Sequence, residues 1–146
     1  MSLKGAIYYG EITDGEILGS IGSDINSLCK NNNQHFSPTW AYIVTWYECA
    51  PYTFGTYNTQ RNSNTFQMLL TSNGNDSFAI LNYISMNWPN NNFKKSFTSG
   101  YSLRSYNLNV NRIIENVTVS NLIDKSNMER PGRWFINFNN TNCRFY

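Results

Sequence analysis

The stretch TWAYIVTWYEC, residues 39–49, carries the clearest β-strand signal in the chain. It is rich in aromatic and β-branched residues, which are the types that pack well on a pleated surface. Apolar residues occupy both sets of alternating positions, so neither face of this strand is polar. Such a pattern is typical of a strand that is covered on both sides. The segment therefore predicts a central strand of a β-sheet.

Downstream of it, residues 64–72 and 77–85 form a second strong signal, because they flank the tetrapeptide Asn73-Gly74-Asn75-Asp76. Asn and Gly both tolerate a positive φ, so an Asn-Gly pair between alternating apolar runs favours a tight turn. These two segments predict a β-hairpin.

Further short segments predict additional elements. Residues 5–12, 113–122 and 133–138 have strand-like composition, whereas 93–110 is ambiguous apart from a predicted turn at Gly100. Apolar residues recur at helical spacing after residue 20, so a short helix capped by Ser20 or Ser23 and ending near Lys30 is also expected.

The pattern as a whole indicates a mainly-β fold. We predict an antiparallel β-sandwich with one short N-terminal helix; the alternative is an α+β arrangement, with an antiparallel sheet flanked by a helix. A length of 146 residues suits one domain, which we place at residues 6–140. Residues 1–5 are interpreted as an expression scar or N-terminal extension, and 141–146 as a C-terminal tail leading toward a following domain.

Composition excludes two classes of partner. Charged residues make up 14% of the chain, against about 25% in ordinary soluble domains, and the net charge is only +2. The basic residues are scattered apart from the pair Lys94-Lys95, so we expect no nucleic-acid partner. No apolar run approaches the roughly 20 residues that span a bilayer, so membrane insertion by this domain is not expected either.

The sequence shows no pattern of catalytic or metal-binding residues. The nine carboxylates are spread along the chain, and Asp14 and Glu16 are interpreted as part of a solvated loop. None forms a D-x-D-x-D-G metal loop, and no glycine-rich phosphate loop is present. His35 is the only histidine, and no G-x-S-x-G elbow accompanies it. We therefore predict no enzymatic activity, no cofactor and no metal, although two carboxylates that meet in space would suffice for a glycosidase.

Three cysteines, Cys29, Cys49 and Cys143, are disulfide candidates. Their spacing contains no C-x-x-C motif. An odd number fits either one bridge plus a buried thiol or pairing of one cysteine with a neighbouring domain. Cys29 lies on the apolar face of the predicted helix, which favours a small buried residue there. The pairing stays open.

Three N-x-S/T sequons mark Asn75, Asn116 and Asn139 as glycosylation candidates. Asn75 lies at the tip of the predicted hairpin, where a glycan would not disturb packing. Asn139 follows the last predicted strand. Asn116 lies inside a predicted strand and would have to point outward to be modified.

Aromatic residues in two polar segments are the candidates for a contact surface. Residues 51–63 and 88–97 combine aromatic and flexible polar side chains, a composition favoured at recognition surfaces; the candidates are Tyr52, Phe54, Tyr57, Trp88 and Phe93. They predict protein contact, or alternatively a carbohydrate-binding module in which aromatic rings and asparagines bind sugars.

Several motifs in a fixed order resemble the nidogen-like (NIDO) domain family: FSPTWA (36–41), IVTWY (43–47), NTFQ (64–67), SFAILNY (77–83), SN (126–127) and PGRWF (131–135). The resemblance runs from about Ala6 to Phe138. It implies a secreted protein or the ectodomain of a membrane protein, an oxidising compartment and no accepted catalytic residues. It also implies a module that contacts extracellular matrix or cell-surface proteins in adhesion or matrix assembly.

Large aromatic residues within these motifs are expected to stabilise the fold and not to bind a ligand. Each would bury roughly 150–250 Å² on alternating strand positions: Trp40, Trp46, Phe66, Phe78 and Trp134.

Overall fold

The computed structural model describes residues 5–29, 35–50, 63–87, 100–105, 108–113 and 119–138. In chain order the described elements are β1 (Ala6–Ile12), α1 (Gly15–Leu28), β2 (Trp40–Cys49), β3 (Asn64–Ser72), β4 (Ser77–Met86), β5 (Gly100–Ser105), β6 (Leu108–Ile113), α2 (Val119–Asp124) and β7 (Arg133–Asn137).

Five of these strands form one antiparallel sheet in the order β1-β2-β3-β4-β7, and β5 pairs with β6 in a separate two-stranded sheet. The predicted mainly-β class is confirmed. Helix α1 covers one face of the five-stranded sheet, as in the α+β alternative. The sandwich of two packed sheets stays a prediction.

The predicted hairpin is confirmed, with β3 and β4 joined by the turn at residues 73–76. Asn73 Oδ1 accepts hydrogen bonds from the backbone N–H groups of Asn75 (3.0 Å) and Asp76 (2.8 Å). Gly74 adopts a φ of +94°, a conformation that favours glycine. The residues that identified the turn in the sequence therefore also hold it together.

Strand β2 lies between β1 and β3, so its interior position in the sheet is confirmed. The expectation that it is covered on both sides is wrong at its ends, where Trp40 and Tyr47 are exposed. Tyr47 lies opposite Ala6 of β1, and a methyl group is too small to cover a phenol ring.

Helix α1 begins earlier than predicted, since neither Ser20 nor Ser23 is its cap. The N-cap is Asp14, whose Oδ1 accepts hydrogen bonds from the N–H groups of Glu16 and Ile17, both at 3.0 Å. A carboxylate at this position satisfies orphan N–H groups and interacts favourably with the helix dipole. Interpreting Asp14 and Glu16 as a solvated loop was therefore wrong.

The core lies between α1 and one face of the sheet. Its buried residues come from α1, the segment after it, four strands and the segment before β7: Leu18, Ile21, Ile25, Phe36, Ala41, Leu69, Phe78, Ile80, Met128 and Phe135. Strand register places the sheet members on one face, because Leu69 lies opposite Ile80, which lies opposite Phe135.

The last third of the described chain differs most from the sequence prediction. The strand expected over residues 113–122 is wrong over its second half, where α2 forms, and Gly100 begins β5 instead of forming a turn. Leu122 of α2 is buried, and its carbonyl oxygen accepts a hydrogen bond from Trp134 Nε1 at 3.0 Å. This contact between α2 and β7 outweighs the β-propensity of the local sequence.

The five aromatic residues expected to stabilise the fold divide into three groups. Phe78 and Trp134 are buried. Trp46 and Phe66 are half-buried on the sheet face opposite α1, with ring centroids 5.0 Å apart. Trp40 is 38% exposed, so it is the least buried of the five.

Two asparagine side chains each bind both backbone groups of a core residue. Asn26 accepts from the N–H of Phe36 (2.8 Å) and donates to its carbonyl (2.9 Å). Asn127 does the same for Phe135, at 2.7 Å and 2.9 Å. These pairs fix the segments that carry the two rings into the core.

Two asparagines of the sheet, Asn64 and Asn82, could each satisfy backbone groups at its ends. Asn64 does so, since its Oδ1 accepts from the backbone N–H of Asn87 at 2.7 Å. Asn82 instead donates to Gln67 Oε1 at 3.0 Å, and Gln67 donates in turn to Thr45 Oγ1 at 2.9 Å. These two hydrogen bonds link side chains on three adjacent strands, β4, β3 and β2.

Candidate interaction surface

Three charged side chains of the described residues form ion pairs that serve a structural role. Asp24 of α1 pairs with Arg133 of β7 at 2.7 Å and with Arg130 at 3.5 Å, which ties the helix to the sheet. His35 is exposed, and its Nε2 lies 3.3 Å from Asn26 Nδ2. Within the described part of the chain no group of three or more His, Cys, Asp or Glu residues could hold a metal ion.

The two outer strands of the five-stranded sheet differ sharply in exposure. Strand β7 is buried from Trp134 to Asn137. Strand β1 is exposed at Ile7 (56%), Tyr8 (61%) and Tyr9 (71%). Among the described strands β1 pairs with β2 alone, so its outer row of backbone N–H and C=O groups faces away from the sheet. Among the described residues, the sheet therefore has one buried outer strand, β7, and one exposed outer strand, β1.

Aromatic pairs between β1 and β2 extend this open edge. Tyr8 packs edge-on against Tyr47 with ring centroids 6.4 Å apart, and both residues are exposed. Tyr9 stacks on half-buried Tyr42 at 6.5 Å on the other face of the sheet. We call the four exposed residues Ile7, Tyr8, Tyr9 and Tyr47 the β1 edge surface.

The β1 edge surface lacks the features that usually protect an outer strand from pairing. Natural edge strands are kept short or carry lysine, proline or a bulge. Strand β1 has seven residues in unbroken register with β2, and it contains no lysine and no proline. Its one charged residue is Glu11. An exposed apolar strand of this kind can accept another strand.

The contact residues predicted from the sequence are not part of this surface. Tyr52, Phe54, Tyr57, Trp88 and Phe93 lie outside the described residues. Their role in protein or carbohydrate contact stays a prediction.

The sequence prediction missed the β1 edge surface. Its signal was present, because Ile7, Tyr8 and Tyr9 are three consecutive large apolar residues, which leaves neither face of the strand polar. In an outer strand with only one neighbour, such a run exposes rings on both faces.

The remaining candidate residues are only partly described. Asn75 is exposed at the tip of the β3–β4 hairpin, whereas Asn116 and Asn139 lie outside the described residues.

Cys29 is half-buried against the core at the end of α1, and Cys49 Sγ lies 3.8 Å from the carbonyl oxygen of Tyr47. Cys143 lies outside the described residues, so the pairing of the cysteines stays a prediction.

A family comparison identifies the domain. The model of the nidogen-like domain matches residues 1–140. This chain belongs to the nidogen-like domain family. The ordered motifs in the sequence had indicated the same family. Nidogen-like domains are extracellular modules, so this domain is extracellular.

Curated relatives of this nidogen-like domain include alpha-tectorin from three vertebrates. The mouse and human proteins are 32% and 31% identical over 146 aligned residues, which cover 90% of this chain and 6% of each relative. Chicken alpha-tectorin is 42% identical over 86 residues, covering 59% of this chain and 4% of that protein. The nidogen-like domain thus spans a small part of the relatives it matches.

No solved structure matches this nidogen-like domain significantly. Within the described residues, neither helix has the length and hydrophobicity needed to cross a membrane.

Proposed function

We propose that this nidogen-like domain is a non-catalytic extracellular module that contacts another matrix or cell-surface protein in adhesion or matrix assembly. The observation that supports this proposal is the β1 edge surface, an outer strand whose backbone edge and large side chains are exposed together. Membership of the family supports an extracellular location, and the exposed strand β1 offers a surface that can bind a partner there.

The chemistry of the surface specifies the kind of partner. An exposed sheet edge binds an extended segment by main-chain hydrogen bonds, and side chains on alternating positions add specificity. Register places Ile7 and Tyr9 on one face of the sheet and Tyr8 on the other. The partner is therefore an extended, largely uncharged segment with apolar side chains on both of its faces.

The size of the surface predicts a weak contact for one isolated domain. A standard protein interface covers about 800 Å² on each partner, and one outer strand offers less. Several copies that bind at once raise the overall affinity without new contacts. A test should therefore present many copies of the domain together.

We expect Ile7→Lys to weaken retention on matrix at least about tenfold, or roughly 1.4 kcal/mol, because lysine on an outer strand opposes strand addition. The measurement is retention of domain-coated beads on matrix deposited by cultured cells. Ile84→Lys is the matched control, since Ile84 is an isoleucine with 60% exposure on β4, away from the β1 edge surface. Equal retention of the wild type and Ile7→Lys would contradict the proposal.

The same assay separates protein contact from sugar binding. Enzymatic removal of glycans from the matrix should leave retention of the wild-type domain unchanged. A loss of retention after that treatment would favour the carbohydrate-binding alternative.

A further inference from the structure

We propose that Asn75 carries an N-linked glycan. Residues 75–77 read Asn-Asp-Ser, which fits the N-x-S/T acceptor pattern. The nidogen-like family places the domain in the secretory pathway, where such acceptors are modified. This inference rests on the compartment and is independent of the proposed partner contact.

The modification is a transfer of oligosaccharide from a lipid pyrophosphate donor of the secretory pathway. A bond forms between Asn75 Nδ2 and C1 of the first sugar. The bond between C1 and the pyrophosphate oxygen breaks, and the pyrophosphate leaves with the bonding electrons. The amide nitrogen loses one proton, so the product is a neutral N-glycosidic amide.

Asn75 lies at an exposed hairpin tip, where a glycan would point toward solvent. Asn75 is exposed, and a methyl group added to the neighbouring Gly74 would meet no atom within 4 Å. Two of the side-chain groups that hold the turn are Asn73 Oδ1, which accepts from the N–H of Asn75, and Ser72 Oγ, which accepts from the N–H of Gly74 at 3.0 Å. A substituent on Asn75 Nδ2 therefore leaves these bonds in place.

The third residue of the acceptor indicates when the transfer takes place. Ser77 is half-buried in the folded hairpin, and its Oγ lies 3.1 Å from Ser72 Oγ. An acceptor hydroxyl that is held in this way is reached more easily before β3 and β4 pair. The glycan is therefore added to the chain before the hairpin closes.

A glycan at this tip would be attached at a distance from the β1 edge surface. Ser72 beside the tip lies opposite Trp40 of β2, whereas Tyr9 lies opposite Val44. The four residues from Trp40 to Val44 span about 13 Å along β2. In the perpendicular direction, β1 lies two strands from β3, a distance of about 10 Å.

Peptide mass spectrometry of the domain secreted from mammalian cells tests the proposal. After release of N-glycans by a glycosidase in ¹⁸O water, Asn75 should be recovered mostly as ¹⁸O-labelled aspartate. Recovery of Asn75 as unmodified asparagine would overturn the proposal, whether or not Asn116 or Asn139 carries a glycan.

Matched variants separate the acceptor from the turn. Asn75→Gln and Ser77→Ala should each lose this glycan, and Ser77→Thr should keep it because the hydroxyl remains. Asn73→Asp keeps an oxygen acceptor in the same turn and lies outside the acceptor sequence, so it should keep the glycan as well. Loss of the glycan in Asn73→Asp or its persistence in Ser77→Ala would contradict the assignment.

Discussion

Phe78→Ala should lower the free energy of unfolding by about 3–5 kcal/mol, the usual cost of deleting a ring from a packed core. Phe78 is 3% exposed. Its ring packs edge-on against Phe36 at 4.7 Å and stacks on Phe135 at 5.2 Å. Truncation leaves a cavity between the segment after α1 and strand β7. Denaturant unfolding of the two proteins measures the difference.

Two companion variants distinguish loss of the core from a general effect of substitution. Phe78→Leu keeps much of the volume and should cost about 1–1.5 kcal/mol. Phe66→Ala removes a half-buried ring from the opposite face of the sheet and should cost less than Phe78→Ala. A loss below about 1 kcal/mol for Phe78→Ala would mean that the core does not lie between α1 and this face.

Gly132→Ala should destabilise the domain by about 3 kcal/mol or more. Gly132 has a φ of +78°, where a Cβ atom costs about 1–2 kcal/mol. That atom would also lie 2.6 Å from the carbonyl oxygen of Tyr83, a backbone atom that cannot rotate away. Relief of the clash would strain the bonds from Tyr83 N–H to Gly132 O (2.7 Å) and from Gly132 N–H to Lys125 O (3.0 Å), each worth about 1 kcal/mol.

Gly74→Ala is the matched control for this prediction. Gly74 also has a positive φ, of +94°, but an added Cβ would meet no atom within 4 Å. Only the conformational cost remains, so a loss of about 1–2 kcal/mol is expected in the same unfolding experiment. If Gly132→Ala and Gly74→Ala lowered the free energy of unfolding equally, the clash with the carbonyl oxygen of Tyr83 would not explain why glycine is needed at position 132.

The central strands could be predicted because their signals are local. Residues 39–49 are apolar on both faces, and the Asn73-Gly74 pair sets the turn between β3 and β4. In both cases the residues that predict the element in the sequence also make the contacts that form it in the structure. The family could be predicted for a related reason, since its motifs occur in order along these strands.

The helices were harder to predict, for two different reasons. The signal for the start of α1 was present in Asp14 followed by apolar residues at helical spacing, but the serines at 20 and 23 were also good caps. For α2 the local composition favours a strand, and the deciding contact joins Leu122 to Trp134, which lies 12 residues later. A contact of this kind cannot be read from the local pattern.

The β1 edge surface depends on strand order, which the sequence does not state. Ile7, Tyr8 and Tyr9 would be covered in a central strand, and they are exposed because β1 has β2 as its one neighbour among the described strands. The sequence predicted a strand at residues 5–12 and showed its aromatic residues. The position at the edge follows from how five strands assemble.

Site-specific photo-crosslinking tests most directly whether the β1 edge surface contacts another protein. A photoreactive benzoylphenylalanine at position 9 or, as the control, at position 84 is activated while the domain is bound to cell-deposited matrix. We expect adducts with a matrix or cell-surface protein from position 9 and none from position 84. Adducts from position 84 alone, no adduct from position 9, or adducts only with a second copy of this chain would contradict the proposed function.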